Sequence, residues 1–241
     1  IPKERIERLY ISESFERKNP AYIRELGMPA EVLSDPVFSY VSDTKNPQGI
    51  LAVVKRLEYT MEDVLGKSAL KCEEKSGEKE KNPENHQIRV PHVIVLDNLQ
   101  DPGNLGTILR TAEGAGVDGV ILSKESVDIY NPKTIRSTMG SVYRLPFLYV
   151  DSIESILPVL KKHHVHTYAA HLKGKNSYEQ ENYCGGTAFF IGNEGNGLTD
   201  HLSSQADTLI RIPMEGKLES LNAAVASAIL MYESYRQRRN A

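Results

Sequence analysis

The sequence predicts an α/β fold, a mostly parallel sheet preceded by a small, partial α/β unit and a charged linker. Three observations carry this. Short apolar runs rich in β-branched residues recur at 92–96, 117–122, 147–150, 165–170, 187–191 and 208–212. Helical stretches at 103–114, 132–139, 152–163 and 220–239 separate most of them. Polar, glycine-bearing segments follow three of the runs. Strands that alternate with helices pair in parallel and are covered on both faces.

The elements follow in chain order. The opening Ile1-Pro2-Lys3-Glu4-Arg5 lacks the apolar centre of a signal peptide. It also begins without Met, in what reads as the middle of a domain, so a preceding segment is expected. Residues 9–11 and 50–54 read as short buried strands, and 15–26 as a helix ending at Gly27, where a left-handed cap suits glycine. Residues 61–65 read as a last helical turn, which closes a first, partial domain over 1–70. Residues 71–88 (KCEEKSGEKEKNPENHQI) mix both charges with Gly and Pro and carry almost no apolar side chains. Such a stretch cannot offset the entropy of ordering its backbone and reads as a linker. Residues 89–241 then form the second domain, in which Asn131-Pro132 and Asp151-Ser152 are helix-start signals.

Composition narrows the class. Hydrophobic residues make up 40% of the 241 and charged residues 25%, as in ordinary globular chains. No apolar run approaches the roughly 20 residues of a membrane-spanning helix. The net charge of −3 argues against coating nucleic acid by bulk charge and leaves room for a local basic patch. Cys72 and Cys184 have no C-x-x-C spacing, which predicts a reducing, cytoplasmic setting without a disulfide or zinc site.

In an open parallel sheet, ligands sit beyond the carboxyl ends of the strands. The segments that follow strands there are 97–107, 192–198 and 213–222. A G-x-G-x-x-G match exists at Gly114–Gly119, but it ends a helix and enters a strand. A dinucleotide fingerprint must do the reverse, so that pyrophosphate meets a helix N-terminus. Those glycines therefore read as a helix cap and turn. No phosphate loop or nucleophile elbow is present.

Asp101-Pro102-Gly103-Asn104-Leu105-Gly106-Thr107 followed by Arg110, Phe190-Ile191-Gly192-Asn193-Glu194-Gly195, and Ile212-Pro213-Met214 followed by Ser220-Leu221-Asn222-Ala223-Ala224-Val225-Ala226 stand in that order. Together they resemble the three signature motifs of the SpoU (TrmH-like) branch of the SPOUT methyltransferases, over residues 92–233. The resemblance implies an RNA ribose 2′-O-methyltransferase that uses S-adenosylmethionine, a C-terminal trefoil knot and a homodimer. The segment before the linker resembles the ribosomal-protein-like RNA-binding domain often attached to this family, without its first strand and helix.

What the resemblance implies for each residue can be set beside its plainer reading. Gly192, Ile212 and Leu221 stand where the family contacts the cofactor. Gly192 would let the backbone approach a ligand, whereas Ile212 and Leu221 equally suit a strand end and a helix start in the core. Arg110 is the first catalytic choice, since the family credits it with activating the ribose hydroxyl. A guanidinium stays protonated, so clamping a phosphate and stabilising the developing 2′-alkoxide suits it better than proton abstraction. Asn104 and Asn222 suit the holding of ribose or a loop carbonyl. Asn222 also suits a helix cap, with Ser220 the stronger cap candidate. Glu194 is read as orienting Arg110, or as capping a helix near 197–199.

Tyr143 and Arg144 are RNA contacts or surface packing. His163, His164, His166 and His171 do not share a face that would bind metal, so no metal is expected. Lys161, Lys162, Arg236, Arg238 and Arg239 read as solvated helix ends that add to an RNA footprint. The attached small domain favours 23S ribosomal RNA as substrate. A transfer-RNA 2′-O-methyltransferase and a non-catalytic RNA-binding or ribosome-assembly protein are the alternatives.

Overall fold

A computed structural model describes residues 1, 3–66, 90–218 and 220–241, so the 71–88 linker and Cys72 lie outside the described residues. The chain divides into two units, Ile1–Leu57 and Glu58–Ala241.

The first unit runs β1 (Ile6–Ser12), α1 (Glu13–Lys18), α2 (Pro20–Leu26), β2 (Glu31–Leu33), α3 (Asp35–Ser42) and β3 (Ile50–Val54). β1 is central, parallel to β2 and antiparallel to β3, with Tyr10 opposite both Glu31 and Leu51. Leu9, Ile11 and Phe38 are its buried anchors. The helix expected over 15–26 is two helices. Pro20 lacks an N–H and disfavours helical geometry at Asn19, so the first helix stops there. Gly27 does take the left-handed cap, at φ 61°.

The second unit opens with α4 (Met61–Val64), started by a capping box in which the Asp63 N–H donates to Thr60 Oγ1 at 3.3 Å. Val64 and Leu65 belong to this unit's core, although the sequence reading placed them in the first domain. Next come β4 (His92–Leu96), α5 (Pro102–Gly114), β5 (Gly119–Ser123), α6 (Pro132–Ser137), β6 (Phe147–Val150), α7 (Leu157–Lys162), β7 (Val165–Ala170), β8 (Asn176–Ser177), β9 (Gly186–Ile191), α8 (Asp200–Gln205), β10 (Thr208–Arg211) and α9 (Ala223–Asn240). The seven strands lie in the order β6-β5-β4-β9-β7-β10-β8, and every pairing is parallel. Every residue of β4 and β5 is buried, as expected of strands covered on both faces. Side chains such as Ile94, Ile121 and Phe190 each contribute roughly 1.5–3 kcal/mol by leaving water.

The strand order positions the site. The chain builds β4, β5 and β6 in one direction, then crosses to β7 on the other side of β4. β9 later fills the place between β4 and β7. This brings the carboxyl ends of β4 and β9 side by side, and the Asp97 N–H donates to Ile191 O at 2.9 Å. An open α/β sheet binds its ligands at such a reversal of strand order.

Two readings of single residues are sharpened. In the G-x-G-x-x-G decoy, Gly116 takes the left-handed turn at φ 69°, while a Cβ on Gly119 would lie 2.6 Å from Val64 Cα. The first glycine serves a turn and the second makes room for α4. At the far end of α9, Arg238 is not a solvated cation. Its guanidinium donates to the carbonyls of Tyr183, Val90, Pro91 and Gly185 at 2.7–3.1 Å. Arg236 pairs with Glu233 at 2.7 Å, and Arg239 lies 5.6 Å from the Tyr235 ring centroid. Among the described residues, no helix is long and apolar enough to cross a membrane.

Candidate active site

A cleft of about 350 Å³ opens beyond the carboxyl ends of β7, β9 and β10. Gly192, Ile212 and Leu221, the three residues read as cofactor contacts, all line it, as do Glu194 and Ser220. Gly192 is glycine for reasons of space. A Cβ there would lie 2.1 Å from Gly197 C and 2.2 Å from Leu198 N. The strand end and the returning loop touch backbone to backbone, held by reciprocal hydrogen bonds between Asn193 and Gly197 at 3.1 and 2.8 Å.

One series of hydrogen bonds ties the three motif loops together. Asn222 Nδ2 donates to Asn104 Oδ1 at 2.9 Å, and Asn104 Nδ2 donates to Glu194 Oε1 at 3.0 Å. The backbone N–H groups of Gln100 and Asp101 donate to the same carboxylate at 3.1 and 3.0 Å. Partial burial pushes the Glu194 carboxyl up, but these hydrogen bonds outweigh it and hold the group below the usual carboxylate range. Glu194 is therefore anionic, and it braces the entry to α5. Among the described residues its carboxylate bonds these groups rather than Arg110 or a helix start near 197–199, the two partners the sequence reading named.

The caps divide differently from expectation too. Asn222, not Ser220, starts α9, its Oδ1 accepting from Ala224 N at 2.9 Å and Val225 N at 3.3 Å. The helix thus begins at Ala223 rather than at 220, which leaves the Ser220 hydroxyl at the cleft wall. Asn222 serves both as cap and as link, a combination its two-headed amide allows. At the other loop, Asp101 Oδ1 caps α5 through Asn104 N at 2.7 Å.

Arg110 lies two turns along α5 from Asn104, is exposed, and does not line the cleft. It has no hydrogen-bond or ion-pair partner among the described residues. Arg144 differs, because it forms a two-pronged ion pair with Glu113, which also accepts from the Ser141 hydroxyl. Tyr143 is partly sequestered, and burial pushes its hydroxyl up. Neither is a free RNA contact within this chain. Among the described residues, no group of three or more His, Cys, Asp or Glu is placed to hold a metal ion. Sequence reasoning gave no cleft role to two polar residues that line it, His171 and Arg211. His171 was weighed only as a metal ligand, and Arg211 was absorbed into a strand.

Comparison with known proteins agrees with this geometry. Residues 91–232 match the SpoU rRNA Methylase family, and residues 2–60 match the RNA 2′-O ribose methyltransferase substrate-binding family. The chain belongs to the SpoU family. It is 34% identical over 208 residues to the 23S rRNA (guanosine(2553)-2′-O)-methyltransferase RlmP of Bacillus subtilis, covering 86% of this chain and 73% of that protein. An AdoMet-bound rRNA methyltransferase from Sinorhizobium meliloti superposes with a TM-score of 0.75 at 29% identity, covering 96% of this chain and 80% of that one. The SpoU methyltransferase AviRb from Streptomyces viridochromogenes, in complex with AdoMet, shares the fold at TM-score 0.78 and 22% identity, over 98% of this chain and 84% of its own.

Membership of the SpoU family makes the chain an RNA methyltransferase that draws its methyl group from S-adenosylmethionine. The residues present fit that molecule. The cleft lies in the roughly 300–1,000 Å³ range of small-ligand sites, and apolar Ile212, Met214 and Leu221 line it beside the polar groups of Asn193 and Ser220.

Proposed function

We propose that this SpoU protein methylates a ribose 2′-hydroxyl of 23S ribosomal RNA. The observation that carries the reading is the Asn222–Asn104–Glu194 series, which gathers the three loops beside the cleft while Arg110 keeps its charge uncommitted. The activity named for RlmP and the substrate-binding match over residues 2–60 support it.

Gly192, Ile212 and Leu221 would hold S-adenosylmethionine, which when bound supplies an electrophilic methyl group on a sulfonium. The chain's own residues do the rest by positioning and charge. Arg110, whose planar guanidinium fork matches phosphate oxygens, would grip the phosphate beside the target nucleotide. The same guanidinium stabilises the developing 2′-alkoxide. Asn104 and Asn222 hold each other's amides in one orientation, so the polar wall that faces the ribose is set before RNA arrives. Ser220 offers a hydroxyl at the cleft wall.

Arg110→Ala tests this. Methylation of 23S RNA should fall by about 10²–10³-fold, the usual loss on removing a transition-state donor, while titration with S-adenosylmethionine stays near wild type. Normal turnover by the variant would overturn the role of Arg110. Mapping of alkali-resistant nucleotides in 23S RNA from cells with and without the gene tests the target. A methylated base, or modification of transfer RNA alone, would overturn the assignment.

The chain also reads as a homodimer with the trefoil knot that its family resemblance implies. α9 turns Val225 and Tyr232, each 49% exposed, and Tyr235 outward along one side. Insertion of β9 between β4 and β7 supports the threading. Sedimentation as a monomer at micromolar concentration would overturn the dimer.

A further inference from the structure

We propose that Arg211 anchors the α-carboxylate of S-adenosylmethionine. The proposal rests on the cofactor and is independent of which RNA is methylated. The amino-acid end of this cofactor carries a carboxylate, and placing it in a partly enclosed cleft is costly unless a cation or free N–H groups meet it.

The glycine loop that lines the cleft has most of its central N–H groups already engaged. The Asn193 and Gly197 N–H groups donate to each other's carbonyls, at 3.1 and 2.8 Å. Those of Gly195 and Asn196 donate to Asn193 Oδ1, at 2.7 and 3.3 Å. Those four N–H groups point inward to the loop's own oxygens, unlike the open nests of backbone N–H groups that bind anions elsewhere. Its one charged side chain, Glu194, would repel a carboxylate.

The opposite wall is different. Arg211 ends β10 and is the one Lys or Arg among the described residues that line the cleft. It has no hydrogen-bond or ion-pair partner among the described residues. The parallel register, Ile210 beside Ala170, continues through the His171 N–H, which donates to Ile210 O at 2.9 Å, so Arg211 lies next to His171. That imidazole is already engaged. The Lys173 N–H donates to its Nδ1 at 3.1 Å, and its Nε2 faces Asp200 Oδ1 at 3.9 Å. Lys173 Nζ itself pairs with Asp200 at 2.8 Å. The remaining cation is Arg211, whose planar fork matches a carboxylate through two parallel hydrogen bonds.

The test is titration calorimetry on the full chain with two ligands, S-adenosylmethionine and decarboxylated S-adenosylmethionine. The second keeps the adenosine, the sulfonium and the amine and lacks only the carboxylate. Wild type should bind the first about tenfold more tightly, the scale of a charge-assisted pair. Arg211→Gln should lose that factor for S-adenosylmethionine and leave the decarboxylated ligand unchanged, and Arg211→Lys should recover part of it. Equal weakening of both ligands by Arg211→Gln, or weakening of neither, overturns the proposal. Arg211 is exposed, so both variants should melt with the wild type. A wild type that bound neither ligand would overturn the cofactor itself, a separate failure.

Discussion

Gly192→Ala is the sharpest test of how the cofactor cleft is built. The added methyl would lie 2.1 Å from Gly197 C, 2.2 Å from Leu198 N and 2.3 Å from Gly197 O. Ordinary contacts between such atoms are about 3.5–4.0 Å, so the returning strand of the loop must retreat by more than an ångström. All three atoms are backbone, and no side chain can rotate away to make room. The retreat breaks the reciprocal Asn193–Gly197 hydrogen bonds, at about 1 kcal/mol each. Overpacking adds about 1–3 kcal/mol. A total of about 3–5 kcal/mol divides between stability and ligand binding. If 3 kcal/mol of it falls on binding, affinity for S-adenosylmethionine drops about a hundredfold. Titration calorimetry reads the affinity and a thermal melt reads the rest. Gly195→Ala is the control, because its Cβ would meet only Asn193 Oδ1, at 3.3 Å. Wild-type affinity in Gly192→Ala, or an equal loss in both variants, would refute the steric account.

Three further outcomes are expected. Gly106→Ala puts a methyl 1.7 Å from Ser137 Oγ and 2.9 Å from Thr134 O, wedging α5 from α6; stability should fall by about 1–3 kcal/mol, and Ser137→Gly in the same chain should restore part of the melting temperature. Arg238→Met removes one donor from each of four carbonyls, of which those of Pro91, Gly185 and Tyr183 keep a bond from Thr187, and should cost about 3 kcal/mol, read by denaturant unfolding, with RNA affinity unchanged; weaker RNA binding at full stability would return Arg238 to the RNA footprint. Asp97 sits at the end of β4, where burial first, then Glu154 and Glu125, push its carboxyl up against an opposing hydrogen bond from Ser123. As pH rises past the ordinary carboxylate value, the unfolded chain releases this proton before the folded one does, so stability falls across that window. Asp97→Asn should therefore melt higher than wild type at neutral pH and lose the advantage in acid, and equal melting at both would contradict the shift.

The second unit was legible where burial alone dictates structure. Residues 92–96 form β4 as read, because a strand covered on both faces is a bare apolar run. The three loops could be found because they follow strands, and their chemistry came from the family resemblance. What stayed hidden depends on distant partners or short elements. β8 is two residues long and β2 three, too short to show a period. α3 carried a readable start signal that was passed over, Ser34-Asp35-Pro36, whereas the helix placed near 197–199 is α8, capped by Thr199. The start of α9 was misplaced because Ser220 and Asn222 are both good caps, and only the bond from Asn222 to Asn104 decides between them. Arg238 was misread for a related cause, and the partners of Glu194 were hidden by it too. Polar side chains on loops and helix ends look solvated until the backbone groups they serve, far away in sequence, are known.

The Asn222–Asn104 bond closes a span of 118 residues, and Asn104–Glu194 one of 90. Contacts so remote in sequence are among the last a chain can make, since loop closure must come first. Leu221, Ala223 and Ala226 supply part of the cleft wall. A nascent chain can therefore lay down β4, α5 and β9 and still have nowhere to lodge a methyl donor until α9 has docked. Cofactor uptake would then serve as a seal of completion. Molecules truncated or misassembled near α9 would stay empty, and the cell would be spared half-built enzymes that trap its methyl donor.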